Sequence, residues 1–480
     1  MPNQFRQGEF KGDFTRDTFD PKQNFLRVLM QQGRVQIDAD WNEQISILLH
    51  YLQTLATDII GPHGGPINAG FKILVNDDLN NAEIRKNLGD FQISQGHYYV
   101  NGILCENHEI ISYLKQNNYP LINTTKDKPS IPFLVYLDVW ERHITYIENP
   151  KIREVALGGV DTGTRSQVIW QVKTQRLENN VTTRSQIEWD KLVNTWQPEN
   201  RGLLQAQAKI EREQTEACLI KPDAAYRGEE NQLYRVEIHT DTAGEVTFKW
   251  SRENASVIFP IEEITLDSSK DTENTTVTIK LQQWWQDDRF GLAENDWVEL
   301  VDDDYVLHQW FEPLWQVTVV NFTDLQLTLK SQQAPSRPIG LSTKKYPFLR
   351  RWEQQKRNDV ELKNGAIAIT EAQEWFTLEK GVQIKFPDFQ NHSFRTGDYW
   401  LIPARTATGD VEWPSDNDGK PQKLPPHGVY HSYAPLALFT NSFPYLYDCR
   451  RQFYTLSRNY EYLAASWGIG ANLIEDNDYL

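Results

Sequence analysis

Only three cysteines, Cys105, Cys218 and Cys449, occur in 480 residues, an odd number set far apart. They draw neither a disulfide framework nor a CxxC ligand pair, which fits a reducing compartment. Methionine is scarcer still, at two. No apolar run reaches the ~18 residues that a membrane helix needs. The start, Met1 to Arg6, lacks the apolar core of a secretory signal. A soluble protein made in the cytoplasm, with no transmembrane segment, is therefore expected. Cations are in deficit, with 49 Lys and Arg against 66 Asp and Glu, a net charge of −17. Nucleic acid and anionic membrane surfaces both need a basic footprint, so neither is expected as a direct partner.

The signatures of common chemistries are missing too. The chain has no P-loop, no G-x-G-x-x-G after a strand, no H-E-x-x-H and no G-x-S-x-G elbow, and no cysteine sits in a protease-like setting. Three partial matches remain. Asp38-Ala39-Asp40-Trp41-Asn42 opens like a calcium loop, but Glu43 stands where such a loop needs glycine and Leu49 where it needs a bidentate Glu. Helix capping accounts for those residues better. Asp302-Asp303-Asp304 suits a solvated turn more than a cation site. His427 and His431 lie four apart, yet Pro425-Pro426, Gly428 and Val429 argue for loop or strand, and two ligands do not make a zinc site. The expectation is no enzyme, no catalytic residue, no cofactor and no metal.

Aromatic residues are what the chain does have: 16 Trp, 20 Tyr and 21 Phe. Such side chains favour pleated, β-type packing surfaces. Segments that alternate or run apolar at strand length include Phe91 to Ser94, His97 to Val100, Ile103 to Glu106, Phe133 to Trp140 and Val168 to Val172. Gln232 to His239, Glu245 to Ser251, Thr275 to Leu281, Trp297 to Val301 and Tyr305 to Leu307 follow, then Trp375 to Leu378, Gln383 to Phe386, Tyr399 to Ala404 and Ala434 to Phe439. Asn101-Gly102, Thr242-Ala243-Gly244 and Glu379-Lys380-Gly381 are hairpin turns. Strands are not interleaved with helices as βαβ units require. The fold expected is mainly β and multidomain, with antiparallel sandwich or barrel-like regions.

Cutting the chain at its composition shifts gives an N-terminal docking arm (1–66), a first β domain (67–177), a charged helical insertion (178–222), a second β domain (223–345), a third (346–440) and a tail (441–480). In the insertion Leu203 to Cys218 is helix-compatible, and in the tail Tyr445 to Leu463 is compatible with a helix. The arm is the most ordered part of the pattern. Phe25 to Met30 reads as a strand, Gln31-Gln32-Gly33 as a turn and Arg34 to Ile37 as a second strand. A helix from an Asp40 cap to Gly61-Pro62 follows. Trp41, Ile45, Leu48, Leu52, Leu55 and Ile59 recur there at spacings of 4, 3, 4, 3 and 4, a heptad-type seam on one face. Fewer than three heptads cannot stand alone in water, so the seam needs a partner surface, in this chain or in another. With six basic and eight acidic residues the arm is nearly neutral, and Pro62 to Pro66 is read as a linker that leaves it separable from an acidic body.

Lys11-Gly12-Asp13-Phe14-Thr15-Arg16-Asp17-Thr18-Phe19-Asp20-Pro21, followed by Val28-Leu29-Met30-Gln31-Gln32-Gly33-Arg34-Val35-Gln36-Ile37-Asp38-Ala39-Asp40-Trp41-Asn42-Glu43-Gln44, resembles the opening of an uncharacterised bacterial family associated with phage-tail-like contractile injection systems. The similarity continues in Tyr136 to His143, Arg153 to Gly159, Asn231 to His239, Trp250 to Asn254 and Arg395 to Arg405. The resemblance implies a structural subunit in or beside the baseplate. Its partners would be other baseplate or tail subunits, and it would be present in several copies per six-fold particle, free or membrane-anchored. It brings no catalytic residues. The rival reading is a carbohydrate-binding, tail-fibre-like receptor reader, resting on Trp284-Trp285, Trp310-Phe311, Trp315, Trp352 and Trp375. Elemental analysis of natively purified protein should find no stoichiometric zinc or transition metal; one zinc equivalent lost on His427→Ala would overturn that expectation.

Overall fold

The computed structural model describes residues 8–75, 79–81, 90–119, 131–199, 201–209, 225–240, 245–266, 275–285, 288–337, 339–356, 360, 362–369 and 375–454. It is mainly antiparallel β, and the described residues form six sheets, one of them a closed barrel. The chain divides into two compact units, neither continuous in sequence. The first holds Met1–Leu48, Trp140–Gln167 and Asp190–His431; the second holds Leu49–Val139, Val168–Trp189 and Ser432–Leu480.

In the first unit, alternation builds the barrel. Thr275–Leu281 sends Val277, Ile279 and Leu281 inward, and Gln326–Ser331 sends Leu327 and Leu329 to meet them. These strands pair with each other, with Ile258–Leu266 and with Trp315–Asn321; Trp297–Val301 and Phe348–Trp352 complete the ring. A closed ring leaves no strand edge exposed to solvent. A six-stranded sheet in the same unit centres on Gln232–Thr240, flanked by Thr247–Ser251 and Tyr399–Arg405. A three-stranded sheet of Gln205–Ala208, Phe376–Glu379 and Val382–Lys385 shares its core, with Phe248 in edge contact with Phe376 at 5.4 Å.

The second unit pairs the first residues of Phe133–Ile144 with Ser432–Phe439, and the Phe133 and Phe439 rings stack at 4.5 Å. His63–Pro66 pairs antiparallel with Gly96–Val100 and parallel with Gln452–Phe453. The hairpin from Gly96–Val100 to Ile103–Asn107 turns on Asn101 and Gly102, at φ 47° and 75°. Positive φ at both central residues is what a type I′ turn requires, so the sequence reading of that turn stands.

Several expectations change. Phe25 to Met30 and Arg34 to Ile37 form no strands, because no neighbouring strand among the described residues offers them a ladder. Tyr305 to Leu307 belongs to a short helix, Asp303–Leu307, capped by the Asp302 carboxylate, which accepts from Tyr305 N at 3.0 Å. Gln205–Ala208 is strand rather than helix; 210–218 lie outside the described residues, as do 242–244, where a hairpin turn is expected, and 455–463. The tail contributes two short strands, Leu446–Asp448 and Gln452–Phe453. Within the charged insertion the described residues hold a helix at Trp189–Trp196. The Pro62 to Pro66 segment is not a linker but mostly a buried strand. The border at 345 separates Phe348–Trp352 from the barrel it closes.

Close backbone approach fixes one position in the second unit. Gly70 N donates to His97 O at 3.2 Å, and a Cβ on Gly70 would lie 2.4 Å from the Gly96 carbonyl carbon. The obstacle is backbone, which cannot swing aside as a side chain would. Gly70→Ala should lower unfolding free energy by about 2 kcal/mol in urea titrations.

Candidate functional site

Two features stand out as candidates: a buried charge cluster completed by the N-terminal segment, and the helix that follows that segment. The cluster begins on strand Gln232–Thr240. Arg235, Glu237 and His239 occupy alternate positions and so share one face. Lys249 comes from the neighbouring strand, Glu299 and Arg350 from two paired barrel strands. Glu237 Oε2 lies 2.7 Å from Arg235 Nε and 3.4 Å from Lys11 Nζ, and its Oε1 lies 3.3 Å from Lys249 Nζ. Lys249 also reaches Glu299 at 2.6 Å, and Lys11 reaches Glu9 at 2.8 Å. Glu299 accepts from the Tyr305 hydroxyl at 2.7 Å and from Trp352 Nε1 at 3.1 Å.

The N-terminal segment is held as much by its backbone as by its charges. Asn254 Nδ2 donates to Phe10 O at 3.1 Å and Gly12 O at 2.9 Å. Tyr399 donates its hydroxyl to Gly8 O at 2.8 Å, and Arg405 Nη2 donates to Thr15 O at 3.0 Å. The arm thus starts as a strap built into the first unit. Residues of several of the motifs quoted above meet here: Lys11 from the first, Arg235 with Glu237 and His239, Asn254, and Tyr399 with Arg405. His143 adds its ring edge-on to Phe10 at 6.0 Å.

Burial on its own would raise the Glu237 carboxyl, but Lys11, Arg235 and Lys249 outweigh it and hold the group at about 2. Burial likewise opposes ionisation of Glu299, and Lys249, Lys11 and Arg350 overcome it, setting the group well below the carboxylate range. Carboxylates held ionised so firmly are poor proton donors near neutrality. Burial pushes the His143 and His239 imidazoles down to about 3, so both are neutral at ordinary pH. The cavity among these side chains measures about 50 Å³, room for water rather than for a substrate. The arrangement is suited to clamping.

The helix runs Asp38–Ile60, two residues earlier than the expected cap, with Asp38 and Asp40 in its positive first turn. Thr15 N donates to Asp38 Oδ2 at 2.9 Å, and Val28 N donates to Gln44 Oε1 at 2.9 Å, tying strap and loop to its first half. Ala39 and Ile47 are its buried residues. The seam residues Trp41 (70 %), Ile45, Leu48, Leu52 (54 %), Leu55 and Ile59 (72 %) are all exposed. Leu49 and Tyr51 are exposed beside them. So are Phe25, Leu26, Leu29, Met30 and Val35 in the preceding loop. The described residues of the chain therefore leave the seam largely uncovered.

The weaker candidates resolve into separate tasks. Asp302 caps its short helix and accepts from Gly340 N at 2.8 Å; Asp303 pairs with Arg142 at 2.6 Å, and Asp304 pairs with Lys345. His427 tilts against Tyr399, and His431 hydrogen-bonds the Gln309 side chain near Trp140. Trp315 and Trp352 are core, whereas Trp284 and Trp285 are half-buried at the barrel's margin. Sequence reasoning missed the charge cluster. Its one signal is Arg, Glu and His at alternate positions of a strand, interleaved with Tyr234, Val236 and Ile238.

The pH window in which the buried histidines act follows from their surroundings. In the unfolded chain a histidine takes a proton near pH 6.5, but folded His239 resists it down to about 3. Between those values the unfolded state binds more protons, so stability falls as pH falls. Glu237, depressed when folded, adds loss in the same direction, but only below its ordinary value of 4.5. Replacing His239 by Asn should flatten the stability–pH slope between pH 6 and 5 by up to about 1.4 kcal/mol per pH unit, read from urea unfolding; an unchanged slope would mean that His239 is protonated in the fold.

A family model described as a family of unknown function (DUF6519) matches residues 10–189 and 191–461. No curated protein and no solved structure matches the chain.

Proposed function

We propose that this chain, which belongs to the DUF6519 family over most of its length, is a structural subunit of a phage-tail-like contractile injection system, in or beside the baseplate. The observation that carries the reading is the exposed apolar row Trp41, Ile45, Leu48, Leu52, Leu55 and Ile59 along one helix. Contiguous exposed apolar surface of this kind marks a protein interface in a soluble chain. The strap at Gly8–Thr15 supports it further, because it orders the loop and helix start before any partner arrives and so lowers the entropy cost of docking. The opening motif, similar to that of proteins associated with such particles, supplies the particle type. In this reading the helix docks on another baseplate or tail subunit, in several copies, within a particle assembled in the cytoplasm. The protein serves by position and carries out no catalysis.

Because Leu52 is already half in solvent, Leu52→Asp should alter stability by no more than about 0.5 kcal/mol. It should nevertheless abolish copurification of the tagged chain with sheath and tube subunits from cells. Normal copurification of a folded mutant would remove the docking face, and global unfolding of the mutant would make the seam part of the core.

A further inference from the structure

The first unit carries a second concave feature, separate from both the charge cluster and the helix. It is a groove of about 600 Å³ beside the barrel, whose lining combines Trp285, Phe322, Val320 and other apolar residues with arginines and carboxylates. That volume is in the range of small-ligand sites.

Its aromatic wall is held by specific contacts. Trp284 donates its Nε1–H to Phe322 O at 2.8 Å, and the Trp284 and Trp285 rings meet edge to face at 4.7 Å. The Trp285 indole lies so close to Gly291 that a Cβ there would come within 2.3 Å of Nε1, so only glycine admits the ring. Arg351 fixes that loop by donating to Arg289 O at 2.8 Å and Gly291 O at 2.7 Å. Phe322, 62 % exposed, presents a ring that packs against Trp284 at 5.0 Å.

The polar wall is balanced. Arg252, Arg289 and Arg351 line the groove against Glu294, Asp296 and Glu353. Arg252 pairs with Glu353 at 3.0 Å and with Glu379 at 2.9 Å, and Arg351 pairs with Glu253 and with Glu353, each at 3.1 Å. Among the described residues the buried Arg252 Nε has no hydrogen-bond partner. Guanidinium and carboxylate side by side offer donors and acceptors together with no surplus charge to attract an ion. Hydroxyl groups match both at once, and the C–H faces of a pyranose match an aromatic ring. We infer that this groove binds a neutral oligosaccharide, with Trp285 and Phe322 as its stacking surface and the arginine–carboxylate pairs as its hydroxyl contacts.

Isothermal titration of the full chain tests this, using neutral gluco-, manno- and chito-oligosaccharides beside uronic-acid oligomers. At least one neutral series should bind saturably, and Phe322→Ala should weaken it about tenfold. Phe322 is exposed, so that variant keeps its fold where Trp285→Ala, which also removes packing on Phe259, could lose it. No saturable neutral ligand, affinity unchanged in Phe322→Ala, or binding confined to the uronic acids would each overturn the assignment. None of these outcomes touches the docking helix.

Discussion

The Glu237 carboxylate, buried and surrounded by Lys11, Arg235 and Lys249, is the constraint on which the first unit depends. Desolvating an ion costs several kcal/mol, and only well-placed opposite charge and hydrogen bonds offset it. Each member is therefore tolerable only when the others are in register. Lys11 comes from the first residues of the chain, Arg235 and Lys249 from the central sheet, and Glu299 from the barrel. One carboxylate pair thus ties together segments that lie hundreds of residues apart. An incomplete network would leave a bare buried charge, so the strap, the sheet and the barrel must come together as one.

The same anchoring accounts for the state of the helix. With residues 8–15 locked by Asn254, Tyr399 and Arg405, the chain is delivered to Asp38 in a defined place. The helix then buries Ala39 and Ile47 and leaves its larger side chains outside. Burying one such side chain gains about 1.5–3 kcal/mol, and the described residues of the chain leave that gain unrealised. Polar atoms inside and apolar atoms outside, within one N-terminal stretch, invert the usual distribution.

Much of this is legible in the residues. Strands such as Thr275–Leu281 and Trp297–Val301 are written in the alternation or the apolar run itself. The Asn101-Gly102 turn follows from a backbone conformation that few residue pairs accept, and the end of the helix at Ile60 follows from Gly61-Pro62. These are local effects, decided by sterics and periodicity within a few residues. The seam is equally visible, but its periodicity says only that six side chains share a face.

Pairing and exposure are another matter, and only the folded chain reveals them. Alternation marks a strand without saying which strand lies beside it. Composition therefore splits the sheet that joins 232–251 to 399–411 between two domains and cuts Phe348–Trp352 from its barrel. His63–Pro66, two glycines among four residues, has the composition of a linker and is a strand because two neighbours supply its ladder. Phe25 to Met30 has the composition of a strand and is none, for want of such neighbours. The charge cluster escapes a linear reading because an ion pair is a matter of distance, and Lys11 and Glu237 are neighbours only after folding. The residues alone specify most of the elements and which side chains share a face. Which faces meet depends on the sum of non-local contacts and not on any one segment, so it emerges only when the whole chain has folded.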